Sequence, residues 1–296
     1  MRVAFRVDAS STMGTGHLKR CLSLAEALQG QGAEVLWVVR PLDDVAARLL
    51  AATTWPVCWL PPPAAGAEIP ADSDAPPCAA WAQVAWPQDA SDTAQALAGC
   101  VPDWLVVDHY ALDARWHGAV RTALGCRLLV IDDTADRPLD ADVLLDQNWH
   151  ADHRAKYAGH LQREPLWLMG PRFALLAPAY LTAPRYCFRA TVESIGIFMG
   201  GTDPGGASAK ALHSCRASDF LGLVEVVSTS ANPALPALRA ACEADPHATL
   251  TLDLPDLAAF LARHDLQIGA GGGATWERCC VGVPSIGVVL ADNQAV

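Results

Sequence analysis

The chain has 296 residues and a net charge of −11, with 52% hydrophobic and 18% charged residues. Its length suits two domains of ordinary size, and its apolar fraction is sufficient for a buried core in each. The acidic balance argues against a nucleic-acid groove or an anionic membrane surface as partner. No apolar run of about eighteen residues and no secretory leader occurs, so we expect a cytoplasmic protein without a membrane span.

The first part of the chain alternates between predicted strands and helices. Apolar runs over 3–7 and 34–39 predict strands, and leucines and alanines at helical spacing predict a helix over 17–29. Further helices are predicted over 43–51 and 89–98. The stretch 56–87 between them is rich in proline and alanine, which favours an irregular excursion.

Three further apolar runs, over 104–107, 127–131 and 143–145, end in polar residues. Strands that are apolar on both faces and alternate with helices predict a parallel sheet covered on both sides. Ligands bind such sheets at the carboxyl ends of the strands, where these polar residues fall.

The second part is predicted to repeat this design after an irregular polar stretch that follows Trp149. Its expected strands lie over 194–199, 224–228, 266–268 and 284–290. We therefore predict an α/β fold with two Rossmann-like domains that face each other across a cleft. The expected N-terminal domain covers 1–165, and the C-terminal domain covers 166–296.

The loop after the first strand is the first candidate site. It contains Gly14, Thr15 and Gly16, with Asp8 upstream and His17 in the first turn of the helix. Glycines bring backbone N–H groups close to a ligand, and the positive end of a helix suits a phosphate or a developing anion. The same positive end favours a neutral histidine that can accept a proton. The alternative is a tight strand-to-helix turn with a partly exposed histidine.

A second candidate site is the glycine-rich loop after the strand over 266–268. This loop and the helix start after it contain Gly271, Gly272, Gly273, Ala274, Thr275 and Glu277. Free N–H groups there suit a pyrophosphate, and a carboxylate about one turn further can accept both hydroxyls of a ribose. The turn that contains Gly201 and Thr202 would face the same cleft. The alternative is a flexible turn with Glu277 as a solvated helix residue.

Two other polar clusters remain open to more than one interpretation. Tyr110 would offer a sugar a hydrogen bond or a stacking face, whereas the preceding Asp108 could cap the next helix. Asp132 and Asp133 are better explained by a helix cap or a salt bridge than by a metal, because no third ligand is evident. We predict neither a metal nor a cofactor. A dinucleotide fingerprint, a Walker-type loop and a serine-hydrolase elbow are all absent.

Taken together, these motifs resemble the UDP-sugar hydrolases of pseudaminic acid biosynthesis. The matching segments, in chain order, are Asp8-x-Ser10-x5-Gly16-His17-x2-Arg20, Val107-Asp108-His109-Tyr110, Ile131-Asp132-Asp133, Gly170-Pro171-x-Phe173, Gly200-Gly201-Thr202-Asp203, Gly271-Gly272-x3-Trp276-Glu277, Gly282-Val283-Pro284-Ser285-Ile286 and Asn293-Gln294. The resemblance covers most of the chain, except for the proline-rich excursion.

The resemblance implies a hydrolase that releases UDP from UDP-2,4-diacetamido-2,4,6-trideoxy-β-L-altropyranose on a glycosyltransferase-B-type fold. It implies that His17 activates water, with Tyr110 and Asn293 as further catalytic residues and Gln294 as a substrate contact. UDP would lie mainly on the C-terminal domain. Gly273 and Ala274 stand where relatives often have hydroxyl residues, so backbone N–H groups would replace side-chain contacts to phosphate. The family continues beyond Gln294, so we expect the C-terminal domain to be truncated.

Two alternatives come from other functional classes. A glycosyltransferase-B-type transferase would pass the sugar of a UDP-sugar donor to an acceptor hydroxyl instead of water. Tryptophans at 55, 59, 81 and 86 would then line an acceptor cleft, although local packing explains them equally simply. A non-catalytic sugar-nucleotide binding protein is the other alternative. In each case the expected partner is a small-molecule UDP-sugar, and the expected oligomeric state is a monomer.

Overall fold

The computed structural model describes residues 1–64, 66 and 72–290. The chain forms two compact units, Met1–Leu175 and Leu176–Val296, each built around a parallel β-sheet. The division therefore falls later than the boundary expected after residue 165. The reason is a strand over Leu166–Met169, which pairs with its neighbour in the first sheet and so belongs to the N-terminal unit.

Neighbouring strands of the N-terminal sheet are parallel and run in the order β3-β2-β1-β4-β5-β6-β7. Their bounds are β1 Arg2–Val7, β2 Glu34–Val39, β3 Val57–Trp59, β4 Trp104–Asp108, β5 Arg127–Ile131, β6 Val143–Asp146 and β7 Leu166–Met169. The helices of this unit are α1 Gly16–Gly30, α2 Asp44–Leu50, α3 Trp86–Leu97, α4 Ala114–Leu124 and α5 His153–Lys156, with short 3-10 helices at Ala79–Ala82 and Pro171–Phe173.

The core of this unit has two layers, one on each face of the sheet. Alternate residues of β1 point to opposite faces, so Phe5 packs in the layer with α1 and α2, and Ala4 packs in the layer with α3 and α4. Burial on both faces explains why the strands are almost continuously apolar.

The C-terminal sheet is also parallel, with strand order β10-β9-β8-β11-β12. Its strands are β8 Ser194–Phe198, β9 Leu223–Ser228, β10 Ala248–Leu252, β11 Leu266–Ala270 and β12 Ser285–Val288. Its helices are α6 Ala179–Thr182, α7 Ala207–Ala217, α8 Leu235–Glu243, α9 Ala258–Arg263 and α10 Gly273–Val281. Apolar layers again cover both faces of the sheet.

Both strand orders contain a point at which the connections reverse direction. In the N-terminal sheet, this point lies between β1 and β4, and in the C-terminal sheet it lies between β8 and β11. The loops that leave the two strands turn to opposite sides there, which opens a crevice at the carboxyl edge of the sheet. Each unit therefore has one edge position that is suited to a ligand.

Most of the predicted elements are confirmed, with ends shifted by a few residues. The structure adds β3 and β7, in stretches that were expected to be irregular, and β10, in a stretch for which no element was predicted. All three are edge strands of three to five residues, so their apolar runs are too short to stand out from the surrounding loops.

Candidate active site

The crevice of the N-terminal unit brings His17 and Asp108 together. His17 lies in the first turn of α1, after β1, and Asp108 is the last residue of β4. The imidazole Nδ1 is 2.6 Å from Oδ1 of the carboxylate. Asp108 is completely buried, and His17 is 7% exposed. The prediction that Asp108 caps the next helix is wrong, because Asp113 caps α4 instead.

The loop between β1 and α1 is fixed by a few backbone contacts. The N–H group of Gly14 donates to the carbonyl of Ser10 at 2.8 Å, and Gly14 has a φ of +78°, which few other residues adopt readily. The N–H group of Ser11 donates to Asp43 at 2.7 Å. Thr15 is the residue before α1 and makes no side-chain cap. The first-turn N–H groups at Gly16 and His17 are thus left for other partners, as the sequence analysis expected of this loop.

The charge on Asp108 decides the tautomer of His17. Burial would raise the pKa of Asp108, but Arg20 and then His17 outweigh burial and hold that pKa well below its ordinary value. Arg20 donates to both carboxylate oxygens, at 2.6 and 2.7 Å. An ionised carboxylate can only accept, so Nδ1 of His17 carries a proton, and in the neutral imidazole the lone pair is on Nε2. None of the described residues forms a hydrogen bond with Nε2.

Tyr110 packs against the histidine and does not present its hydroxyl group to the surface. Its ring is edge-on to the His17 ring at 4.5 Å, and Trp81 approaches the same histidine at 6.2 Å. The hydroxyl group donates to Asp133, which also accepts from Arg20 at 3.2 Å. Burial, followed by the charge of Asp133, raises the pKa of Tyr110. The contact that was predicted between Tyr110 and a sugar is therefore replaced by support for His17.

Asp8 lies inside the unit. Its side chain is fully buried, with one oxygen 2.6 Å from Arg6 and 2.8 Å from the N–H group of Arg40. His109 lies 3.1 Å from the other oxygen. Burial would raise the pKa of Asp8, but Arg6 and His109 lower it overall. With no exposed surface, Asp8 holds the end of β1 from within, and the expectation that it contacts the substrate is corrected.

The crevice of the C-terminal unit contains the second predicted site. Gly271 and Gly272 follow β11, and Gly272 adopts a φ of +89° at the start of α10. No side chain caps this helix, so the N–H groups of Gly273 and Ala274 have no partner within it. The hydroxyl group of Thr275 accepts a hydrogen bond from Arg278 at 3.1 Å.

The loop with Gly201 and Thr202 lies beside this helix start, because β8 and β11 are neighbours. Gly200 has a φ of +95°, and Asp203 caps α7 by accepting from the N–H groups of Ala207 and Ser208 at 2.8 and 2.9 Å. The structure therefore brings the two glycine-rich loops to one edge, as predicted.

Glu277 is half-buried, and its carboxylate faces Tyr180. Burial and then the Glu277 carboxylate raise the pKa of Tyr180. Glu277 is therefore only partly solvated, and its contact with a ribose stays a prediction. Asn293 and Gln294, the remaining predicted site residues, lie outside the described residues.

Of the charged residues at these sites, Arg278 was missed by the sequence analysis, whereas Arg20, Asp108 and Asp133 were noted in motifs but not predicted as site residues. Arg20 was visible as a residue three positions after His17, on the same face of α1. The predicted salt bridge of Asp132 is confirmed, with Arg137 at 2.7 Å.

Within the described residues, no group of three or more His, Cys, Asp or Glu side chains could hold a metal ion. In the same part of the chain, no helix has the length and apolar character needed to span a bilayer.

The paired Rossmann-like units define an α/β fold of the glycosyltransferase-B type, and solved structures support this class. The chain superimposes on MurG from Acinetobacter baumannii with a TM-score of 0.59 and 16% identity, over 99% of this chain and 80% of that one. For UGT89C1 from Arabidopsis thaliana in complex with UDP, the TM-score is 0.61 and the identity 13%, over 99% of this chain and 81% of that one. For CalG4, the calicheamicin glycosyltransferase, the TM-score is 0.58 and the identity 15%, over 100% of this chain and 82% of that one.

One curated protein is similar in sequence as well. The spore coat polysaccharide biosynthesis protein SpsG of Bacillus subtilis (strain 168) is 23% identical over 198 residues, which is 65% of this chain. The match spans 57% of the length of SpsG. No model of a known protein family matches the chain.

Proposed function

We propose that this protein is a glycosyltransferase-B-type enzyme that transfers the sugar of a UDP-sugar to an acceptor hydroxyl group, with His17 as the general base. The observation that carries this proposal is the hydrogen bond between His17 and Asp108, which leaves Nε2 able to accept a proton. The similarity to glycosyltransferase structures and to a polysaccharide biosynthesis protein supports the same class of chemistry.

In the proposed reaction, Nε2 of His17 takes the proton of the acceptor hydroxyl group as its oxygen attacks C1 of the sugar. The new bond forms between that oxygen and C1, and the bond from C1 to UDP breaks, so UDP leaves with the electron pair. The imidazolium that forms is stabilised by Asp108, which is already ionised. Such general-base catalysis contributes about 10²- to 10⁴-fold to the rate.

The C-terminal unit is proposed to hold UDP. Its glycine-rich loops offer free N–H groups at a helix start, which suit the diphosphate, and Glu277 would accept the ribose hydroxyls. UGT89C1, which is similar in fold, was solved in complex with UDP, and this supports UDP as the proposed nucleotide.

A hydrolase is the second candidate, with water in place of the acceptor. The observation in its favour is the low exposure of His17, 7%, between Tyr110 and Trp81, because a small nucleophile reaches such a base most easily. Its proposed substrate is UDP-2,4-diacetamido-2,4,6-trideoxy-β-L-altropyranose, from the resemblance to hydrolases of pseudaminic acid biosynthesis.

Release of UDP from a panel of UDP-sugars, with and without alcohol acceptors, tests both candidates. A transferase releases UDP faster when an acceptor is present and forms a glycoside, whereas a hydrolase releases UDP and free sugar in water alone. His17→Ala should lower turnover about 10²- to 10⁴-fold and leave the affinity for UDP unchanged. His213→Ala, at an exposed position on α7, is the control. Absence of UDP release with every donor, or full activity of His17→Ala, would contradict the proposal.

A further inference from the structure

Arg278 is a buried arginine directly beneath the start of α10. The residue is only 4% exposed. Nη2 donates to the carbonyl of Ala270 at 2.9 Å and to the hydroxyl group of Thr275 at 3.1 Å. These two partners flank the glycines at 271–273, so the guanidinium lies behind the loop that carries the free N–H groups.

The charge of Arg278 has no carboxylate partner among the described residues. The other deeply buried arginines all have one, as Arg6 and Arg40 with Asp89 and Arg137 with Asp132 show. In addition, Nε of Arg278 forms no hydrogen bond with any residue in the described part of the chain. Burial lowers the pKa of Arg278, with smaller opposing effects from Cys279 and Glu277. An uncompensated buried cation is costly, so a structural role alone explains it poorly.

The chain also keeps space for this guanidinium. A Cβ atom at Gly269 would lie 2.4 Å from Nη1 of Arg278 and 2.9 Å from the carbonyl oxygen of Phe198. Gly269 belongs to β11, and Phe198 ends β8. The guanidinium therefore lies where the carboxyl ends of these two strands meet, which is the ligand-binding position of such a sheet.

We propose that Arg278 is a specificity-determining residue whose charge makes the Gly271–Thr275 loop select a nucleoside diphosphate over a nucleoside. The loop would contact the ligand through its N–H groups, and Arg278 would supply the positive charge behind them. The bound diphosphate would then be the missing counter-ion. This inference rests on the proposed binding of UDP by the C-terminal unit, and it adds the origin of the selectivity.

Calorimetric titration of the full chain with UDP, UMP and uridine tests the proposal without any measurement of turnover. Arg278→Gln should reduce the preference for UDP over uridine about tenfold to a hundredfold, because the positive charge behind the loop is lost. Uridine itself should bind as before. Arg278→Lys should keep part of the preference. The control is Arg239→Gln, which removes an exposed charge from α8 of the same unit and should leave the preference unchanged.

The outcomes separate this inference from the proposed function. If the wild-type chain binds none of the three compounds, the proposed function fails. If it binds UDP and uridine with equal affinity, or if Arg278→Gln weakens both equally, the inference alone is overturned and Arg278 is structural. Thermal unfolding shows whether the variant is folded. If it is not, the wild-type ratio and Arg278→Lys decide the question.

Discussion

Asp108 accepts a 2.6 Å hydrogen bond from His17, and Arg20 binds the same carboxylate through two nitrogen atoms. The three residues come from the last position of β4 and the first two turns of α1, which meet at the reversal point of the N-terminal sheet. Arg20 thereby keeps Asp108 ionised, and Asp108 keeps the proton of His17 on Nδ1. Arg20 and Asp108 thus hold the imidazole of His17 in place from within the N-terminal unit.

Asp108→Asn should lower turnover about 10²- to 10⁴-fold, because an amide can also donate to Nδ1 and so favour the wrong tautomer. The affinity for UDP should stay within about twofold of the wild-type value, since the expected nucleotide site belongs to the C-terminal unit. The measurements are UDP release at saturating donor and calorimetric titration with UDP.

Asp140→Asn is the matched control for Asp108→Asn. Asp140 pairs with Arg121 and Arg163 and precedes β6, at the amino edge of the same sheet. This control should keep its turnover. Equal losses of turnover in the two variants would mean that Asp108→Asn acts by disturbing the fold and not by changing the tautomer of His17.

The positions of His17 and Asp108 in the fold were predictable, but their pairing was not. Apolar runs located β1 and β4, and the residues after parallel strands meet at one edge of the sheet. The orientation of the side chains could not be predicted in this way, because it depends on partners that are distant in the sequence. The hydroxyl group of Tyr110 turns inward to Asp133, which lies 23 residues away, and the end of β1 is held by Arg6 with Asp89, 83 residues away. No local pattern encodes such pairs.

The same reason explains why Arg278 escaped the sequence analysis. An arginine in a helix is usually exposed, and only the glycine at position 269 makes room for it here. That glycine lies inside a strand, where it signals a close approach of other atoms. The signal was present, but the approaching group could be identified only in three dimensions.

Tyr110→Phe and Tyr110→Ala should separate two roles of the tyrosine. The structure places its ring 4.5 Å from the ring of His17. If that packing is its main role, Phe should retain turnover to within about tenfold, whereas Ala should lose more because it frees the histidine. Steady-state kinetics of both variants provide the measurement. A large increase in KM for Phe alone would instead indicate a contact between the hydroxyl group and the sugar.

Glu277→Gln should weaken the binding of UDP about tenfold to a hundredfold and change saturated turnover less, because a carboxylate that accepts ribose hydroxyls acts on binding. Titration with UDP and with 2′,3′-dideoxy-UDP provides the measurement. The dideoxy compound lacks both hydroxyls, so it should bind the variant and the wild type equally. A loss of affinity for both compounds would point to damage to the loop through Tyr180 and not to a ribose contact.

His117 should make the N-terminal unit sensitive to mild acid. It is completely buried on α4, where its Nδ1 accepts from the N–H group of Asp140 at 3.3 Å. Burial, followed by Arg137 and Arg121, lowers the pKa of His117 from 6.5 to about 3. The unfolded chain therefore binds one more proton than the folded chain between these values. The contribution of His117 to the free energy of unfolding is fully present above pH 6.5. It is lost as the pH falls towards 3, at about 1.4 kcal/mol per pH unit.

His117→Asn removes this proton uptake, because the amide oxygen can still accept from Asp140 but the side chain does not titrate. We expect the free energy of unfolding of the variant, from urea titrations between pH 7 and 4.5, to fall less steeply than that of the wild type. Protonation of carboxylates near pH 4.5 affects both proteins alike, so the difference between the two slopes reports His117. His213→Asn, at an exposed position, should keep the wild-type slope. Parallel slopes for wild type and His117→Asn would show that the buried imidazole does not control the loss of stability.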